Sequence, residues 1–154
     1  MRPRWVPKAA VLAIHERLLA EHGGPPGMLD EGALEAAPAS PRNHLAYGNP
    51  DVYELAAAYA FALTRNHPFQ DGNKRVALTV AGVFFDMNGF PLEASERDAA
   101  NAVTALSARD LDAPAFAAWL RMNSSKLPPR RRRAVRRVRA DRKPRSQEGR
   151  RRKR

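Results

Sequence analysis

The chain has 154 residues, 44% of them hydrophobic, which is room for one domain around a single core. It contains no cysteine, excluding a disulfide framework, a thiolate metal site and a cysteine nucleophile, and no apolar run approaches a membrane span. The 27 Lys and Arg against 16 Asp and Glu give a formal net charge of +11, an excess that is concentrated at one end of the chain.

The opening MRPRWVPK lacks the apolar stretch of a signal peptide, so a soluble, cytoplasmic protein is expected. Lys8 to His22 reads as a first helix, with Val11, Leu12, Ile14, Leu18 and Leu19 apolar and the pair Gly23, Gly24 as its stop. His15 and His22 read as surface or satisfied structural histidines. Asp51 with Glu54 three residues later is a capping box for DVYELAAAYAFALTRN, where Val52, Leu55, Ala56, Tyr59 and Leu63 recur at helical spacing. This helix should be buried. KRVALTVAGVFFDMNG carries Ala77, Val80, Ala81, Phe84 and Phe85 on one side and closes at Asn88 and Gly89. FPLEA, residues 90–94, reads as a short extended piece. Ser95 with Asp98 opens another helix to about Arg109, and Asp112 with Pro114 caps a last one whose Phe116, Trp119 and Leu120 belong to the core. The composition changes abruptly at Pro128 and Pro129. From Arg130 to Arg154 fifteen Arg or Lys face two acids, a net of +13, so residues 1–129 sum to −2 and the high isoelectric point belongs to the tail. A segment so charged and so poor in large apolar residues is expected to be disordered.

Between the two central helices lies HPFQDGNKR, His67 to Arg75, where a base, a carboxylate, a tight backbone turn and two cations fall together. Pro68 disfavours helical geometry at His67, and Gly72 and Asn73 stand where the next helix begins. The free amides and dipole of such a helix start attract anions, a nucleotide phosphate above all. Gly72 lets a phosphate approach the backbone, and Asn73 holds the turn or donates from its amide. Arg75 offers a planar fork and Lys74 a point charge. Asp71 would repel phosphate unless a divalent cation bridges them, which makes it a candidate Mg²⁺ ligand. His67 is a candidate general base for an incoming hydroxyl. Singly, each has a plainer reading: a loop histidine bonded to backbone, capping Asp and Asn, a core Phe69, a solvated pair of cations. Their joint occurrence in one short string favours the phosphoryl-transfer reading.

That string resembles the Fic/Doc (Fido) family. The family pattern, HPFx, an acid, then GNGRxxR, is matched at His67, Pro68, Phe69, Asp71, Gly72, Asn73 and Arg75. Lys74 replaces a glycine and Leu78 the second arginine, both as in the death-on-curing branch, whose signature is close to HxFxDANKRTA. HGGPPGMLDEGALEAAPASP, residues 22–41, looks like that branch's glycine-rich turn and short helix, and Arg65 lies two residues before the histidine as it does there. The resemblance runs from about Val6 to Trp119. It implies an all-α, compact helical bundle with the motif loop between two central helices, a Fido domain over residues 1–127 and a tail over 128–154.

Members of the wider family transfer AMP from ATP to a hydroxyl of a target protein. The death-on-curing branch transfers the γ-phosphate instead, characteristically to elongation factor Tu, and so arrests translation as the toxin of a toxin-antitoxin pair. Lys74 and Leu78 favour the kinase. By this resemblance His67 is the catalytic base and Asp71 the Mg²⁺ ligand, while Gly72, Asn73, Lys74 and Arg75 bind the nucleotide. The cofactors implied are ATP and Mg²⁺. Many members carry an inhibitory segment S/T-xxx-E-G/N; none is found here, so inhibition is expected from a separate antitoxin. Two alternatives stay open: AMP transfer, and a catalytically silent Fido domain whose residues 130–154 contact RNA or DNA through phosphates. No aromatic residue interrupts that tail for base stacking.

Overall fold

Four of the helices begin on an oxygen-bearing side chain that takes up one of the orphan amides of the first turn. Such a cap is worth about 1 kcal/mol. In the computed structural model, which describes residues 2–125, the described elements are α1 (Lys8–His22), α2 (Glu31–Tyr47), α3 (Val52–Asn66), α4 (Asn73–Asn88), α5 (Glu96–Ser107) and α6 (Ala113–Met122). Asp30 caps α2 at Ala33 N, 3.1 Å, and Asp51 caps α3 at Glu54 N, 2.9 Å. Ser95 caps α5 at Asp98 N, 3.1 Å, and Asp112 caps α6 at Ala115 N, 2.8 Å. The fold is all-α: among the described residues the β-type pairing amounts to two isolated bridges, Met28 with Phe69 and Leu92 with Ser124. The second bridge is what the FPLEA stretch forms, with Glu93 N donating to Asn123 O at 2.7 Å. Among the described residues no helix is long and apolar enough to cross a membrane. The basic tail expected over residues 128–154 lies outside the described residues.

The centre is α3. Ten of its fifteen residues are buried, five of them alanines, so neighbouring helices approach it closely on most sides. α2, α4, α5 and α6 all pack on it, and α1 lies over α2 and α4. The expected apolar faces are where the sequence put them: Val52, Leu55, Ala56, Tyr59 and Leu63 are buried, as are Ala77, Val80, Ala81, Phe84 and Phe85. The segment before α1 is clasped at two points. Tyr59 Oη accepts from Val6 N at 3.0 Å and donates to Val6 O at 3.3 Å, and burial holds its phenol above the ordinary range. Asn88 does the same for Arg4, at 2.8 and 2.9 Å.

Two expectations need correction. The helix after the glycine-rich turn is not short: α2 runs to Tyr47 through Pro38 and Pro41. Each proline removes one intrahelical hydrogen bond, but Pro41 is buried with Ala33, Leu34 and Ala37, and packing against α3 carries the helix past them. Trp119 is half-buried, stacked on the fully buried Phe116 with centroids 5.8 Å apart, at the border of the core and not inside it.

Tyr59→Phe keeps the ring and strips both bonds from the buried backbone of Val6. The expected loss is about 1–3 kcal/mol, read as a lower denaturant midpoint at unchanged slope.

Candidate active site

The loop from α3 to α4 is built around one buried ring. Phe69 is 1% exposed, and its backbone N–H and C=O are both taken by the side chain of Asn73, which accepts from Phe69 N at 3.1 Å and donates to Phe69 O at 2.8 Å. Asn73 is itself buried. Its amide therefore holds the turn, the first of the two roles its position suggested, and only its backbone N–H remains for a ligand. Outside the clasp, residues 27–30 run antiparallel along 68–70. Leu29 N and Asp30 N donate to Pro68 O at 2.8 and 3.3 Å, and Gln70 N donates to Gly27 O at 3.0 Å.

The backbone is left-handed on either side of this plug. His67 ends α3 at φ 44°, ψ 64°, a position that glycine commonly fills, and it does so directly before a proline. A non-glycine residue so placed costs about 1–3 kcal/mol, and such strain collects at functional sites. The conformation stands His67 out of the helix, exposed, with no hydrogen bond from a described residue on its ring. Gly72, at φ 84°, turns the chain into α4. Like α1, α4 has no side-chain cap and no acid in its first turn, but whereas Lys8 of α1 is paired with Glu31 and Glu35, the first turn of α4 holds exposed Lys74 and Arg75. Neither cation is in an ion pair with a described residue. Uncapped amides and two unpaired cations make this end of α4 the most anion-attracting point of the loop.

All six residues singled out in the sequence, His67, Asp71, Gly72, Asn73, Lys74 and Arg75, line one cleft of about 540 Å³. That volume lies within the range of small-molecule sites, about 300–1,000 Å³. Two further residues line it that sequence reasoning missed, Gln70 inside the motif and Ser107 at the end of α5. Ser107 carries no local signal; only the packing of α5 on α4 brings it there. His15 proves to be the satisfied structural histidine of the two α1 histidines, 5% exposed, stacked on Phe69 with Nε2 3.1 Å from Asp71 O; His22 is at the surface. The glycine-rich turn also has a local reason. A Cβ built on Gly24 would stand 2.3 Å from Asp71 Oδ2, so the carboxylate lies against bare glycine backbone.

Whether Asp71 suits a cation can be judged from its neighbours. No group of three or more metal-binding side chains exists among the described residues, so no all-protein cage is built there. A lone, exposed carboxylate beside an anion-attracting helix start is instead the donor set for Mg²⁺ that arrives with phosphates, since that ion keeps its waters and needs one or two carboxylates. The residues present fit that group.

Comparison with known proteins agrees with this geometry. The sequence model of the Fic/DOC family matches residues 5–85, more than half of the chain. The chain is 37% identical over 87 residues to "Protein kinase doc" of Escherichia phage P1, covering 56% of this chain and 69% of that protein. It is 38% identical over 103 residues to "Toxin Doc" of Mycolicibacterium smegmatis, covering 64% and 78% respectively.

Asn73→Ala leaves the buried N–H and C=O of Phe69 without partners. Each such group costs about 1–3 kcal/mol, so a marked fall in melting temperature is expected, together with faster hydrogen exchange at the Phe69 amide than at amides of the α3 core.

Proposed function

Because this chain belongs to the Fic/DOC family, we propose that it is a toxin that phosphorylates a target protein, moving the γ-phosphoryl group of ATP to a Ser or Thr hydroxyl. The observation that carries the reading is the single cleft in which an exposed histidine, a lone carboxylate and an uncapped, cation-flanked helix start converge. His67 accepts the proton of the attacking hydroxyl as its oxygen bonds to the γ-phosphorus and the bond to the bridging oxygen breaks, releasing ADP. Gly72 and Asn73 present backbone N–H groups to phosphate oxygens, and Lys74 and Arg75 hold the phosphates by charge. Asp71 would hold Mg²⁺. Bound with the nucleotide, that ion neutralises phosphate charge and orients the transferring group. The protein's own contribution is chiefly placement and electrostatics.

Transfer of phosphate, and not of AMP, is supported by two positions. Lys74 puts a long cation where a glycine would leave room for the backbone to touch phosphate. Leu78, which stands for an arginine of the AMP-transferring pattern, packs against the core and presents no charge to the cleft. The name "Protein kinase doc" of the phage relative points the same way. Elongation factor Tu is the target we infer, with arrest of translation in the cytoplasm as the consequence. The name "Toxin Doc" of the mycobacterial relative supports a neutralising antitoxin as the second partner, made as a separate protein.

Intact-mass spectrometry of elongation factor Tu after incubation with this protein and Mg-ATP tests the reading. A gain of about 80 Da is expected, one phosphoryl group; a gain of about 329 Da would mean AMP transfer, and no gain would remove this target. His67→Ala is expected to keep the melting temperature and lose transfer by about 10²–10⁴. Asp71→Ala should abolish the Mg²⁺ dependence of transfer, and an unchanged Mg²⁺ titration would remove Asp71 from the metal site.

A further inference from the structure

His15 sits in the middle of α1, remote in sequence from the motif, yet it makes its polar contact with the loop that forms the cleft. Its ring is 5% exposed and lies parallel to Phe69, with centroids 3.7 Å apart and 9° between planes. Its Nε2 is 3.1 Å from the backbone carbonyl of Asp71. A carbonyl only accepts, so Nε2 carries the hydrogen and donates. The bond holds the peptide between Asp71 and Gly72, which links the Asp71 carboxylate to the start of α4.

The other restraints on Asp71 come from the same side of the molecule. The residue before it is fixed by Gln70 N donating to Gly27 O at 3.0 Å, and its carboxylate lies against Gly24, where a Cβ would come within 2.3 Å of Oδ2. Gly72 leaves the loop left-handed, and the nearest atom to a Cβ there is His15 Cδ2 at 3.8 Å. In a trans peptide N–H and C=O point in opposite directions. Drawing Asp71 O toward α1 therefore turns the Gly72 N–H away from α1. Without the imidazole, nothing among the described residues restrains that carbonyl, and the Asp71–Gly72 plane is free to rotate beside a glycine.

We propose that His15 is a positioning residue for the cleft: by donating to the Asp71 carbonyl it sets the Asp71–Gly72 peptide so that the Asp71 carboxylate faces the place where Mg²⁺ and phosphates meet. The proposal rests on the Mg-ATP reading of the cleft. A partner that orients a metal-holding group in this way typically controls 10–100-fold in metal affinity.

Two variants of the full-length protein separate the hydrogen bond from the packing. His15→Gln keeps an N–H donor near the Nε2 position and loses the stacked ring; His15→Phe keeps a ring on Phe69 and loses the donor. The first readout needs no ligand: the Asp71 carbonyl ¹³C resonance of the apo protein should move in His15→Phe and stay near wild type in His15→Gln. The second is calorimetric titration of Mg²⁺ into protein saturated with a non-hydrolysable ATP analogue. His15→Phe is expected to bind Mg²⁺ roughly 10–100-fold more weakly, with metal-free analogue affinity little changed, and His15→Gln should recover most of the loss. Equal Mg²⁺ affinity in His15→Phe and wild type would overturn the proposal, as would equal losses in both variants tracking their melting temperatures, which would make His15 a packing residue alone. If wild type bound no Mg²⁺ with the analogue, the nucleotide reading and this proposal would fall together, while the carbonyl shift would still report on the hydrogen bond.

Discussion

Burial of the Phe69 ring is the constraint on which the functional end of the molecule depends. Sealing a phenylalanine from water is worth about 1.5–3 kcal/mol, and the surrounding chain is organised to keep this one sealed. Asn73 closes both backbone groups of Phe69, His15 covers the face of its ring, and the 27–30 segment lies along its backbone. With the ring fixed, the residues on either side have few choices. His67 is forced out of α3 in a left-handed turn, and Gly72 is forced into a second one that launches α4.

Chemistry and stability are thus divided along the motif. The buried members, Pro68, Phe69 and Asn73, hold the loop; the exposed ones, His67, Asp71, Lys74 and Arg75, face the cleft. The division explains why the uncapped start of α4 is tolerated. Four other helices take a cap from Asp or Ser, and at α4 the capping stabilisation of about 1 kcal/mol is forgone. A capping carboxylate there would occupy the amides and cancel the charge that draws an anion. Strain at His67 and the missing cap are both carried by the alanine-rich packing of α3 against its neighbours.

Much of the fold was legible because its signals are local. The Asp51, Ser95 and Asp112 caps and the Gly23 and Gly89 stops bound α1, α3, α4, α5 and α6 within about two residues, and helical spacing identified the buried faces of α3 and α4. α2 was the exception, expected as a short helix; it runs through Pro38 and Pro41 to Tyr47, and contact with α3 carries it past them. The cleft was legible to the same degree. Every residue singled out for chemistry lines it, because all six lie in one unbroken string and the loop need only close for them to meet.

The amino-acid sequence by itself determined the helices other than α2, the loop between the two central ones and the inventory of groups at that loop, because each depends on neighbours within about four positions. The tertiary structure alone decided which of those groups are spent on holding the loop and which remain free. Asn73 turned inward, Ser107 arrived from α5, Gly24 made room for the Asp71 carboxylate, and His15 reached the Asp71 carbonyl from 56 residues away. No periodicity or motif encodes such contacts. They are set by how α1, α4 and α5 pack around a core that must be filled, and packing is a property of the whole chain.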